Sequence, residues 1–106
     1  MSTSCEKLAG QIDRVKQQLQ ELGPMRPGAI SRQYRNSKEK KRPFYQISYT
    51  HRMQSRSEYL RPENLAAVRT ETANFKRFRK LIDRWVELAL KLSQLRTRQG
   101  LHSERP

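Results

Sequence analysis

The chain has 106 residues, of which 34% are hydrophobic, with a mean hydropathy of −1.03 and a formal net charge of +13. A chain this short and this polar can form one small domain with a thin core, and it contains no apolar run of about 18 residues that could span a bilayer. So large a cationic surplus opposes compaction and points to a polyanionic partner, nucleic acid first.

The charge is unevenly spread. Residues 1–25 carry three basic and three acidic side chains, residues 26–61 ten basic and two acidic, and residues 62–106 ten basic and five acidic. Cys5 is the one cysteine, so no intrachain disulfide can form and a reducing compartment suits the chain. The opening MSTSCEKLAGQ lacks the apolar stretch of a signal peptide, and a cytoplasmic location is expected.

In the first segment Leu8, Ile12, Val15, Leu19 and Leu22 are spaced 4, 3, 4 and 3 apart, which predicts a helix over 4–22 with one apolar seam. Gly23-Pro24 should end it, with Gly23 in the left-handed position that follows a helix. The seam needs a partner, either a second helix of the same chain or a second copy. GPMRPG at 23–28 then reads as a stiff loop.

A β-meander is predicted over 28–61. Ile30, Arg32 and Tyr34 alternate with their neighbours in a weakly apolar first strand, and NSKEKKR at 36–42 reads as an exposed basic loop, either the long tip of a hairpin or locally disordered. From Phe44 to His51, Tyr45, Ile47 and Tyr49 share one side and Gln46, Ser48 and Thr50 the other, the pattern of a half-buried strand. The Tyr45/Ile47/Tyr49 side is the expected core face. Residues 52–56 read as a polar turn without the Asn-Gly signature, and 57–60 as a short third strand.

Pro62 and Glu63 suit the start of a helix, which runs unbroken by Gly or Pro to about residue 98. Phe75, Ile82 and Ala89 are seven apart, as are Phe78, Trp85 and Leu92, and Leu81, Leu88 and Leu95. These rows make a stripe wide enough to receive the first helix antiparallel and the sheet as well. The tail 99–106 is expected to be flexible. The predicted architecture is α+β: a helix, a three-stranded antiparallel meander and a long helix, in a single domain.

Function is sought in the cations. Arg32, Arg35, Lys38, Lys40, Lys41, Arg42, Arg52, Arg56 and Arg61 are interleaved with aromatics, of which Tyr34 and Phe44 are candidates for stacking on a base or sugar. Lys76, Arg77 and Lys80 add a basic helix face, which could join the same positive surface or simply solvate the helix. His51 has no nucleophile or activating partner at a convincing spacing, no cysteine-histidine cluster offers a metal site, and no phosphate loop occurs. The chain is therefore expected to be non-enzymatic and cofactor-free. It would bind nucleic acid, DNA before RNA, with no membrane partner. The competing reading is a helical adaptor or homodimer working through its apolar helix faces.

GPMRPGAISRQYR, KKRPFYQISYTHRMQSRSEYLRPENLAAVR and FKRFRKLIDRWVEL together resemble a family of short uncharacterised bacterial proteins, classed as a domain of unknown function. The likeness spans about residues 8–95 and is most specific in PMRPG and QISYTHRMQSRSEYLRPE. It implies a neighbourhood of transposases or other mobile-element genes and transfers no catalytic residue. Members often carry cysteines before the aromatic strand. The matching stretch 36–42 has none here, so a metal-binding role does not carry over.

Overall fold

The computed structural model describes residues 3–36, 38 and 41–100, without the side chains of Thr3, Asn36, Lys41 and Arg42. In chain order the elements are α1 (Thr3–Gln20), β1 (Ala29–Asn36), β2 (Lys41–His51), β3 (Gln54–Leu60), a single 3-10 turn (Pro62–Asn64) and α2 (Leu65–Arg98). The α+β architecture read from the sequence is the one observed. The described residues form two compact units, one from the residues up to Leu22 together with those from Phe78 onward, the other from Gly23–Arg77. No helix among the described residues is long and apolar enough to cross a membrane.

The helical unit is an antiparallel hairpin of α1 and the C-terminal part of α2. Its core is Cys5, Ile12, Val15, Leu81, Leu88 and Leu92, flanked by Leu8, Leu19, Leu22, Trp85 and Leu95. The predicted seam and two of the three predicted rows thus face each other. Cys5 Sγ donates to Gln99 Oε1 at 3.6 Å, which pairs the start of α1 with the end of α2. Lys16 Nζ lies 5.2 Å from the Trp85 ring centre, its stem covering the indole. Both helix ends depart from simple capping rules. α1 stops at Gln20, two residues before expected, and Gly23 has no positive φ. The left-handed terminal glycine belongs to α2 instead: Gly100, φ 75, donates its N–H to Thr97 O at 3.1 Å.

The second unit is a two-layer sandwich of sheet and helix. The strands run in the order β1-β2-β3, all antiparallel. Ile30 and Glu58 sit opposite Ile47, and Arg32 and Leu60 opposite Tyr45, so these side chains share a face. That face packs Ile47, Leu60 and Val68 together, with Ile30, Tyr45 and Leu65 around them. Ile47, 1% exposed, is the most completely buried large side chain among the described residues. The GPMRPG loop is tied to α2 by Asn74 Nδ2 donating to Pro24 O at 2.9 Å and Arg26 N–H donating to Glu71 O at 3.2 Å.

The strands are longer than their apolar pattern indicated. β1 and β2 continue into the basic run as far as the pair Asn36 and Lys41, and β3 begins at Gln54. The predicted five-residue turn after β2 is a tight two-residue one. Arg52 and Met53 have φ of 53° and 65°, and His51 pairs with Gln54 directly behind them. Positive φ at both central positions is the signature of a type I′ turn, which fits the twist of a hairpin but disfavours side chains with a Cβ. Met53 is 96% exposed and packs on nothing. Met53→Gly should therefore stabilise the sheet unit, by up to about 1 kcal/mol. A thermal melt followed by circular dichroism checks this, and a lower Tm for the variant would contradict it.

Candidate nucleic-acid interface

Because opposite residues share a face, the register divides the functional candidates. The face away from α2 carries Ser31, Gln33 and Arg35 on β1, Phe44, Gln46, Ser48 and Thr50 on β2, and Ser55, Ser57 and Tyr59 on β3. Glu58, the one carboxylate in the described strand segments, is on the other side. The open face is thus polar, with Arg35 its described cation and no described acid among its strand residues.

At one end of this face the Phe44 and Tyr59 rings lie 6.5 Å apart, inclined by 37°. The Arg35 guanidinium sits 5.1 Å from the Phe44 ring centre. Tyr59 is 57% exposed. At the other end cross-strand hydroxyl pairs tile the surface: Ser48 with Ser57 and Thr50 with Ser55, each at 3.0 Å. A shallow open depression of about 450 Å³ lies there, lined by Ala29, Ser48, Thr50, Ser55 and Ser57 among others.

The remaining candidates lie elsewhere. Arg32, Tyr34 and Arg56 are on the Ile47 face, where Arg32 stacks 5.4 Å from the Tyr34 ring centre and Arg56 donates to Gln54 Oε1 at 3.0 Å. Tyr34 and Phe44, the two stacking candidates, thus point to opposite sides of the sheet. Arg52 is at the hairpin tip, and the exposed Arg61 precedes the 3-10 turn. Lys76 and Arg77 are exposed on the part of α2 in the sheet unit, the layer behind the Ile47 face, while Lys80 belongs to the helical unit. Lys38 is exposed, Lys40 lies outside the described residues, and the Lys41 and Arg42 side chains are not described. Sequence reasoning missed Tyr59, Gln33 and Gln46. The signal for Tyr59 was available in SEYL, since burying Leu60 obliges Tyr59 to point the other way.

Tyr49 corrects the expected core face. It lies on the Ile47 side but is only half-buried, and its environment is polar. Its hydroxyl donates to Glu58 Oε2 at 2.7 Å, the Arg26 guanidinium lies 5.1 Å from its ring centre, and Arg26 pairs with Glu58 at 3.4 Å. A tyrosine in this place caps the small core with a network where an apolar residue would extend it. The tyrosine hydrogen bond above all, helped by Arg26, holds the Glu58 carboxyl below its ordinary value of 4.5, although partial desolvation works the other way. The same hydrogen bond pushes the Tyr49 phenol above 10.0. A depressed carboxyl stabilises the fold above its unfolded pKa and loses that contribution as pH falls through the folded value. The Glu58 contribution should therefore vanish only below about pH 4.5. Carboxyl NMR titration should give Glu58 a midpoint below that of the unfolded chain, and Tyr49→Phe should raise it. An unchanged midpoint in that variant would remove the hydrogen bond as the cause.

Among the described residues no three of His, Cys, Asp and Glu come together as a metal site would require. No protein-family model matches the chain, and no curated protein or solved structure matches it either.

Proposed function

We propose that the protein is a non-enzymatic nucleic-acid-binding accessory protein, with DNA the favoured ligand and a mobile element its expected setting. The observation that carries this reading is the open sheet face: Arg35 over Phe44, Tyr59 beside them, and no described carboxylate among the strand residues of that side. Such a surface offers charge to phosphates and flat groups to bases, on a chain whose net charge is +13. Arg35, Arg52, Lys38 and the basic run at 40–42 are the phosphate contacts in this reading.

Binding should be strongly salt-dependent, because each neutralised phosphate releases condensed counterion. Fluorescence titration with duplex DNA, single-stranded DNA and RNA should show affinity falling about 10²- to 10³-fold between roughly 50 and 200 mM salt, as for about five phosphate contacts. Arg35→Glu with Arg52→Glu should abolish most of it. Failure of all three nucleic acids to bind at the lower salt would end the proposal.

One observation favours a second reading, that of a helical adaptor or dimer. Val86 and Leu90, one turn apart on α2, are 62% and 58% exposed. If that pair is a docking stripe, Val86→Lys with Leu90→Lys should lower the light-scattering mass of any self-association or break contact with a DNA-processing partner. The arginine changes would leave that contact intact.

A further inference from the structure

Resting on the nucleic-acid reading, we infer that the open sheet face is a stacking platform for single-stranded DNA. Its anchors are Tyr59 and Phe44, with Arg35 extending the flat surface and contacting the backbone. Bases in a duplex have both faces occupied by their neighbours, so an exposed aromatic platform has nothing to stack on there. An unpaired strand presents its bases freely. The shape argues the same way. A two-stranded ribbon fits a major groove about 12 Å wide. Here three strands span about 10 Å between their outer axes, before side chains, and a helix layer about 10 Å thick backs them. That body is too broad to enter the groove face-on.

The platform is furnished for bases. The register sets Gln33 opposite Phe44 and Gln46 opposite Tyr59, so each ring has an amide directly across the strand. Gln33 Nε2 gives one hydrogen to Ser31 Oγ at 3.1 Å, which leaves its second hydrogen and its carbonyl oxygen, with the Gln46 amide, for the edge of a base lying on either ring. The two ring centres, 6.5 Å apart and inclined by 37°, are separate enough to take one base each. The Arg35 guanidinium, 5.1 Å from Phe44, is planar and is itself a surface on which a base can stack while its charge meets the phosphate.

The choice of DNA follows the reading on which this inference rests. Ser48 bonds Ser57 and Thr50 bonds Ser55 across the strands, each pair using one hydroxyl hydrogen and leaving the other free, so the RNA arm of the test decides whether a ribose 2′-hydroxyl adds to binding.

The test is fluorescence anisotropy on the full chain at low salt, with a labelled single strand of about 12 nucleotides, its duplex, and RNA of the same sequence. The single strand should bind about tenfold or more tightly than the duplex. Tyr59→Leu should weaken single-strand binding by about tenfold, leaving duplex binding unchanged, and Tyr59→Phe should retain it. Tyr59 is 57% exposed, so its substitution spares the core. Independently of any variant, NMR of the unaltered protein should show the Tyr59 and Phe44 ring signals shifting on addition of the single strand. Preferential duplex binding overturns this inference while sustaining nucleic-acid binding. RNA binding about tenfold tighter than single-stranded DNA overturns the assignment of the ligand. Single-strand binding that ignores Tyr59→Leu and leaves both rings unshifted overturns the platform. Absence of binding to all three overturns the platform and the nucleic-acid reading together.

Discussion

Gly28→Ala should unfold the sheet unit or leave it barely stable. Gly28 has φ 144°, a backbone conformation that residues with a Cβ rarely adopt. A Cβ built there would lie 2.7 Å from Ile47 Cγ1 and 2.8 Å from Ile47 Cδ1, with Ser48 O at 3.3 Å. Cδ1 ends its side chain, but Ile47 is 1% exposed and closely packed, so it has little room to move aside, and Cγ1 and Ser48 O are held by the central strand. Strain of about 1–3 kcal/mol and overpacking of similar size act together, so a loss of about 2–6 kcal/mol is expected. The core of this unit is Ile47, Leu60, Val68 and their flanks, which leaves little stability in reserve. Urea unfolding followed by the amide resonances of β2 measures the effect. A midpoint unchanged from the parent would show that the loop can rebuild its path, against the geometry of Gly28.

Val15→Asp should have an effect of comparable size in the other unit. Val15 is 3% exposed and lies in the α1 seam against Leu81, Leu88 and Leu92. A carboxylate there has no cation within the apolar cluster to compensate its lost hydration, and burial of an unpaired charge costs more than about 3 kcal/mol. Helical content should fall sharply. Because the chain forms two compact units, hydrogen exchange should lose protection in Thr3–Gln20 while strand protection in β2 persists. Equal loss in both places would mean that the units unfold as one.

The helices were legible because their apolar residues carry an unambiguous period. The 4-3-4-3 spacing of Leu8 to Leu22 and the seven-residue rows from Leu81 to Leu95 are the residues that meet in the hairpin core. The strands were legible in kind and less so in extent. Alternation identifies a strand only where one side is apolar, and β3, QSRSEYL, is exposed at every residue except Leu60. Its polar half reads as turn. The hairpin tip escaped because Arg52 and Met53 are not the residues that positive φ favours; the pairing of β2 with β3 imposes that geometry against local preference. Tyr49 was assigned to the core because periodicity reports a side of the strand and not the depth of cover. Its hydroxyl could find Glu58 only once β2 and β3 were paired, which sets the two residues diagonally across the strands. The candidate site was legible as a composition and not as a surface: nothing in the order of residues tells that Arg35 and Phe44 meet on one face while Arg32 and Tyr34 meet on the other.

The strand order β1-β2-β3 has a consequence for how the arginines are studied. Among the described residues β1 and β3 are each paired on one side only, so each offers an unpaired row of backbone donors and acceptors to other molecules. Such borders template self-assembly unless something repels an incoming strand. Arg32 and Arg35 lie on one border, Arg56 on the other, all exposed. The same cations that would hold an acidic ligand keep copies of this sheet apart as gatekeepers. Neutralising them removes a ligand contact and a colloidal safeguard in one step. Variants at these positions therefore need their aggregation state measured beside their affinity, and lysine at each position is the replacement that keeps the safeguard while altering the contact.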